Sequence, residues 1–128
     1  MKKFDLYKCD VCANLIEVLK DSDNIISCCN QPMTLVTPQK SENGKHTPVV
    51  SESKNGYKVM IGEVAEHAMN EIHYMEMIEL TVDDKVYKRY LTLTDDATVY
   101  FFVAKGDVVS ARAYCNIHGL FTSEQIEE

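Results

Sequence analysis

The chain's five cysteines and four histidines fall into two groups. The first is Cys9-x-x-Cys12 followed by the adjacent pair Cys28-Cys29. Four thiolates can close a tetrahedron around one metal ion, and a C-x-x-C turn aims two sulfurs inward while backbone amides donate to them. Adjacent cysteines are a less usual choice. Neighbouring side chains diverge, so both reach one ion only through a tight corner. Asn30 follows the pair and tolerates the left-handed backbone such a corner requires. A structural zinc knuckle and an iron site both satisfy the pattern, because four-sulfur sites accept either metal. A thioredoxin-like redox pair is disfavoured, since no strand–helix–strand pattern surrounds the motif.

The second group is His46, His67, His73, Cys115 and His118. His67 and His73 are six apart, which is not the i, i+4 spacing of a helical pair, and Cys115-x-x-His118 sits where Asn116 and Gly119 allow a sharp turn. A single histidine is more often a surface residue or a satisfied core group, and a lone cysteine more often a small buried hydrophobe. Here every histidine lies in or beside a loop and none mid-strand, which favours a shared site. One thiolate and four neutral imidazoles exceed the tetrahedral set of zinc. Such a set suits iron and leaves one octahedral position open, as a catalytic metal requires.

Both groups need scaffolds. Residues 4–36 hold short apolar pieces between turn signals. Leu15–Leu19 reads as a strand, Asp21-Ser22-Asp23-Asn24 as a turn, and Ile25-Ile26 and Met33–Val36 flank the cysteine pair. A segment this small needs a staple, and a metal is the obvious one. Pro38–Gly44 is polar and reads as a linker. Beyond it the period is two: Tyr57, Val59 and Ile61 alternate with Lys58 and Met60, while Tyr74, Ile78, Leu80 and Val82 share a face that Glu76 interrupts. Val86–Leu93, Thr98–Ala104 and Val108–Tyr114 follow, rich in Val, Tyr, Phe and Thr. Asn55-Gly56 and Asp83-Asp84 mark hairpin turns. Seven short strands at regular spacing predict an antiparallel immunoglobulin-like β-sandwich, with Glu63–Ile72 as an ordered loop. The expected organisation is mainly β: a four-cysteine metal domain over 1–37 and a sandwich domain over 38–128.

Composition narrows the class. Hydrophobic residues make up 45%, enough for a packed core. The net charge of −7 divides into −1 for residues 1–37 and −6 for residues 38–128, which disfavours nucleic acid and anionic membranes as partners. No apolar run approaches the ~20 residues that cross a bilayer. Met1-Lys2-Lys3 is followed by no signal-peptide apolar core, so the cytoplasm is the expected location. In that reducing compartment the odd number of cysteines reads as metal ligands, not disulfides.

Taken together, these residues resemble the desulfoferrodoxin family, the two-domain form of superoxide reductase, along essentially the whole chain. Tyr7-Lys8-Cys9 through Cys12 to Glu17-Val18-Leu19, then Cys28-Cys29 and Pro32-Met33, look like its desulforedoxin-like domain. Lys45-His46, Pro48-Val49, His67 with Met69, His73-Tyr74 and Cys115-Asn116-Ile117-His118-Gly119 match the second domain. The resemblance implies two mononuclear irons. Cys9, Cys12, Cys28 and Cys29 would hold one that is not essential to turnover. His46, His67, His73 and His118 would hold the catalytic ferrous iron in a plane, with Cys115 axial and the sixth position facing solvent. Superoxide would take one electron and two protons there and leave as hydrogen peroxide, and a rubredoxin-like donor would return the electron. The resemblance further implies a homodimer and an anaerobic source. Four neutral imidazoles and one thiolate give a ferrous site a net charge of +1, and Lys45 beside His46 adds to the steering of an anion.

The sequence departs from the family in three places. Members usually carry a glutamate before the Lys-His pair, able to cap the oxidised iron, and here that position is Gly44. Glu42, two residues further back, is the one nearby carboxylate. Two common tryptophans are Met77 and Phe121 here, which touches packing and not ligands. The competing readings are an electron-transfer or metal-binding module without turnover, and a dismutase sharing the substrate.

Overall fold

A computed structural model describes residues 1–123 and the backbone of 126–127. Its contacts divide the chain into two compact units, 1–37 and 38–128. Among the described residues there are strands and turns but no helix.

The first unit has a three-stranded antiparallel sheet with β1 (Leu6–Lys8) between β2 (Leu15–Glu17) and the later strand β5 (Thr34–Val36). A separate hairpin joins β3 (Ser27–Cys28) to β4 (Gln31–Pro32), pairing Cys28 with Gln31. Its two-residue turn is Cys29-Asn30, with φ of 54° and 62°. Two consecutive left-handed residues are the signature of the hairpin turn whose twist matches its strands. The corner expected at Asn30 therefore also includes Cys29. Leu6, Val18 and Met33 are the buried apolar side chains of this unit, joined by the Cys9 thiol. That core is too small to hold the unit alone, since domains of this size draw their stability from a disulfide or a metal.

The second unit has two facing sheets. The smaller orders β10 (Thr98–Phe101), β7 (Gly56–Ile61) and β6 (Pro48–Ser53). The larger orders β12 (Gly119–Thr122), β11 (Val108–Cys115), β8 (Met75–Val82) and β9 (Lys85–Tyr90), with β13 (Ile126–Glu127) pairing the start of β11. Every ladder between these strands is antiparallel. Tyr57, Val59 and Ile61 from one sheet and Ile78, Leu80 and Val82 from the other are buried in one core with Val99, Val109 and Ala111. Each valine, leucine or isoleucine among them contributes about 1.5–3 kcal/mol by leaving water.

The class is the expected sandwich, with eight strands among the described residues where about seven were expected. The strands that no apolar run in the sequence marked are the short β12 and the two-residue β13. The first hairpin turn is displaced by one residue. Lys54-Asn55 form it, and Gly56 opens β7, where a Cβ would stand 1.9 Å from the Phe101 carbonyl oxygen. The expected linker is partly incorporated in the sandwich: Gln39 bridges to β12, donating its N–H to Leu120 O (3.0 Å) and accepting from Thr122 N–H (2.9 Å). The exception at Glu76 also has a cause. Tyr114 pairs Met77 while Cys115 pairs Met75, so Glu76 is the extra residue of a β-bulge. The bulge resets the alternation and brings Met75 into the core beside Cys115.

Two candidate metal centres

In the first unit the four cysteine sulfurs lie within 4.8 Å of one another. Cys12 Sγ is 3.7 Å from Cys28 Sγ, and Cys28 Sγ is 4.0 Å from Cys29 Sγ. A tetrahedral ion with metal–sulfur bonds of about 2.3 Å places its sulfurs about 3.8 Å apart, so the donors fit one ion. The left-handed turn resolves the adjacent-cysteine problem, because it brings the Cys29 sulfur back toward that of Cys28. The backbone amides of Cys12 and Val11 point at the Cys9 sulfur and lower that thiol to about 7. Hydrogen bonds with Cys12, Cys9 and Cys28 push Cys29 up to about 12, and Cys28 is raised by the same kind of crowding. Four clustered thiols resist joint ionisation, and a cation among them removes that resistance.

The second centre is assembled at loops and strand ends. His46 comes from the segment leading into β6, and His67 and His73 from the irregular stretch before β8. Cys115 is the last residue of β11, and His118 lies in the turn to β12. His73 Nε2 is 3.3 Å from His46 Nε2, 3.2 Å from His67 Nε2, 3.2 Å from His118 Nδ1 and 3.0 Å from Cys115 Sγ. His118 Nδ1 is also 3.1 Å from His46 Nε2 and 3.7 Å from Cys115 Sγ. One ring nitrogen offers either one lone pair or one proton, so His73 cannot hydrogen-bond to four partners. Ligands at right angles around one ion, with bonds of about 2.1 Å, stand about 3 Å apart. The donors therefore fit a metal better than they fit one another. All five residues singled out for this centre come together.

The His67 and His46 rings are held from behind. His67 Nδ1 lies 2.6 Å from Ala68 O, and the proton donated there leaves Nε2 as the lone pair facing the site. Phe121 stacks on His46 with centroids 4.7 Å apart and planes 18° from parallel, and Ser41 Oγ accepts the His46 N–H at 3.1 Å. Burial, followed by the neighbouring histidines and Lys45, holds His46 down at about 4. Its imidazole is thus neutral at pH 7, and a metal displaces no proton from it. His73 is lowered for the same leading reason.

Cys115 is fully buried and His46 nearly so, whereas His118 and Lys45 are exposed. The centre has a closed thiol floor and an accessible side. Two clefts meet there, one of about 480 Å³ lined by Glu42, Lys45, His46 and His118, the other of about 380 Å³ lined by Lys45, Glu66 and His67. Lys45 borders both. Gly44 has φ of +75°, and a Cβ there would stand 2.3 Å from Glu63 Oε2. A glutamate at that position would be strained in its backbone and would have to displace Glu63. Sequence reasoning missed Asn70, whose side-chain oxygen accepts the Ile72 and His73 N–H groups. It read Asn116 only as a turn residue, whereas its side chain bonds to Ile72 and Tyr74.

A small knuckle with four convergent sulfurs and a sandwich with a four-imidazole, one-thiol cluster define a protein with two mononuclear metal sites. Residues 38–124 match the family model described as desulfoferrodoxin, and residues 1–36 match its N-terminal domain. The chain belongs to the desulfoferrodoxin family. It is 42% identical to the desulfoferrodoxin of Nitratidesulfovibrio vulgaris over 95% of this chain and 97% of that one. It is 41% identical to that of Desulfarculus baarsii, over 96% and 98%. The solved superoxide reductase of Treponema pallidum shares the fold, with a TM-score of 0.75 at 20% identity, covering 97% of this chain and all of that one.

Proposed function

We propose that this protein is a superoxide reductase, with Cys9, Cys12, Cys28 and Cys29 holding one iron and His46, His67, His73, His118 and Cys115 holding the second. The observation that carries the reading is the five-donor cluster, closed below by Cys115 and open beside Lys45. When bound at that cluster, ferrous iron supplies the electron that superoxide takes up with two protons to give hydrogen peroxide. The chain's own residues do the rest. The imidazoles stay neutral, so the ferrous centre carries a net positive charge. Buried Cys115 presents its thiolate from the side opposite solvent, where it donates electron density and cannot block access. Lys45 draws the anion into the two clefts against the −6 charge of the surrounding residues 38–128.

A rubredoxin-like donor returns the electron, the working form is a homodimer, and the protein acts in the cytoplasm. Among the described residues no helix is long and apolar enough to cross a membrane. The test is a superoxide pulse on reduced protein with peroxide and oxygen both measured. Peroxide without oxygen supports reduction, oxygen release marks a dismutase, and no consumption leaves a metal-binding module.

Two variants examine the division of labour. Cys9→Ser is expected to remove one of two irons per chain while most superoxide reduction persists, read by metal analysis and rapid kinetics on one preparation. Loss of activity with the second iron retained would overturn it. Lys45→Ala is expected to slow superoxide capture about 3–10-fold and flatten its dependence on ionic strength, because steering weakens as salt screens the field. Iron content is measured alongside, and an unchanged salt dependence at full occupancy removes Lys45 from the mechanism.

A further inference from the structure

His73 is the hub of the second centre, since its Nε2 lies within 3.3 Å of the three other histidine nitrogens and the Cys115 sulfur. Yet it sits outside any strand, in the irregular stretch before β8, where no ladder fixes its backbone. Main-chain polar groups in such a stretch must find partners elsewhere. They find two asparagines. Asn116 Nδ2 donates to Ile72 O (2.9 Å), Asn116 Oδ1 accepts the Tyr74 N–H (2.9 Å), and the Asn116 N–H donates to Tyr74 O (3.1 Å). Asn70 Oδ1 accepts the N–H groups of Ile72 (3.0 Å) and His73 (2.9 Å), and the Asn70 N–H donates to His73 O (3.2 Å).

The Asn116 amide straddles His73, with its donor on the residue before and its acceptor on the residue after. Asn116 is also bonded covalently to Cys115. Thiol and imidazole are thereby fixed to one short rigid frame. An amide is suited to this, because it offers a donor and an acceptor in one plane. Alanine there would offer neither, and aspartate only the acceptor.

We propose that Asn116, assisted by Asn70, is a positioning residue that sets the His73 ring against the Cys115 sulfur. This rests on the metal-binding reading above. Ligand geometry must hold within about 0.5 Å to function, and groups that orient ligands typically change metal affinity about 10–100-fold when removed.

The test uses the full-length iron-loaded protein, with three readouts: the thiolate-to-iron charge-transfer band of the second centre, iron release to a chelator, and the thermal midpoint. The four-cysteine band is the internal reference. Asn116→Ala is expected to shift the second band and speed iron release about 10-fold, with Asn116→Asp between it and wild type. Asn70→Ala is expected to move both readouts in the same direction. Arg112→Ala, three residues before Cys115 on β11 and paired with Glu79 instead of the donor cluster, lowers the thermal midpoint and should leave the band in place. If Asn116→Ala lowers the midpoint but matches wild type in band position and release rate, Asn116 is merely structural and the proposal falls. Should Asn116→Ala not fold, unchanged bands in Asn116→Asp and Asn70→Ala overturn it instead. A wild-type protein with no second-centre band would sink the metal reading first and this inference with it.

Discussion

Cys115→Ser is expected to abolish superoxide reduction, lowering the rate at least about 100-fold, and to erase the charge-transfer band of the second centre while the four-cysteine spectrum persists. The Cys115 sulfur lies 3.0 Å from His73 Nε2 and 3.7 Å from His118 Nδ1, and the residue is fully buried. It is the only anionic donor in that cluster. A serine hydroxyl is nearly isosteric but stays protonated at neutral pH, so the fold should tolerate the change and the centre should lose its electron-donating ligand. Removing a ligand is expected to do at least as much as removing a group that orients one, about 10–100-fold in affinity. Metal analysis, the visible spectrum and pulse kinetics on one sample check the outcome. A variant that retained both the second-centre band and fast turnover would show that another group supplies the thiolate's part.

Arg112→Ala is expected to destabilise the protein by about 3 kcal/mol through an uncompensated buried charge. Glu79, on β8, is only 3% exposed. Arg112 on β11 grips both of its oxygens, at 2.5 Å and 3.3 Å, and Lys88 on β9 reaches one at 3.3 Å. The three lie on neighbouring strands in register, Arg112 opposite Glu79 and Glu79 opposite Lys88. Without Arg112 the carboxylate keeps, among the described residues, only the lysine, and alanine fills none of the guanidinium's volume. For a chain of this length the thermal midpoint should fall by about 10 °C. Replacing Glu79 and Arg112 together by apolar residues should recover much of that loss. Calorimetry of the single and double variants measures both. A single variant as stable as wild type would mean that Lys88 alone satisfies Glu79.

The site was more legible than the scaffold around it. Cysteine and histidine are rare and chemically distinct, so both candidate donor groups could be picked out from type and spacing, and the resemblance to the family gave them their expected roles. The alternation of β7 was equally clear, since Tyr57, Val59 and Ile61 face the core and their neighbours do not. What escaped were features in which one residue changes the phase. The bulge at Glu76 looks, in sequence, like a polar error on an apolar face. The turn before β7 shifted by one because Gly56 serves the close approach of Phe101 instead of the turn itself. Glu79 drew no notice in the sequence, and only the strands on either side show why a charge is buried there. Asn70 and Asn116 were invisible as supports, because an asparagine before a loop residue signals a turn whichever backbone groups its amide reaches.

The two donor sets differ in how much chain they enclose. Those of the first unit span residues 9–29, so a metal could gather them while little else is ordered. Those of the second span residues 46–118 and lie just before β6 and β8, at the end of β11 and in the turn that follows it. Closing so long a loop costs entropy that the ion need not supply, because pairing of β6, β8 and β11 has already brought the segments together. The knuckle is thus a unit whose folding is its loading. The sandwich is a vessel that must be finished before it can be filled, and a chain broken or misregistered between those strands would remain empty at the site where electrons are spent.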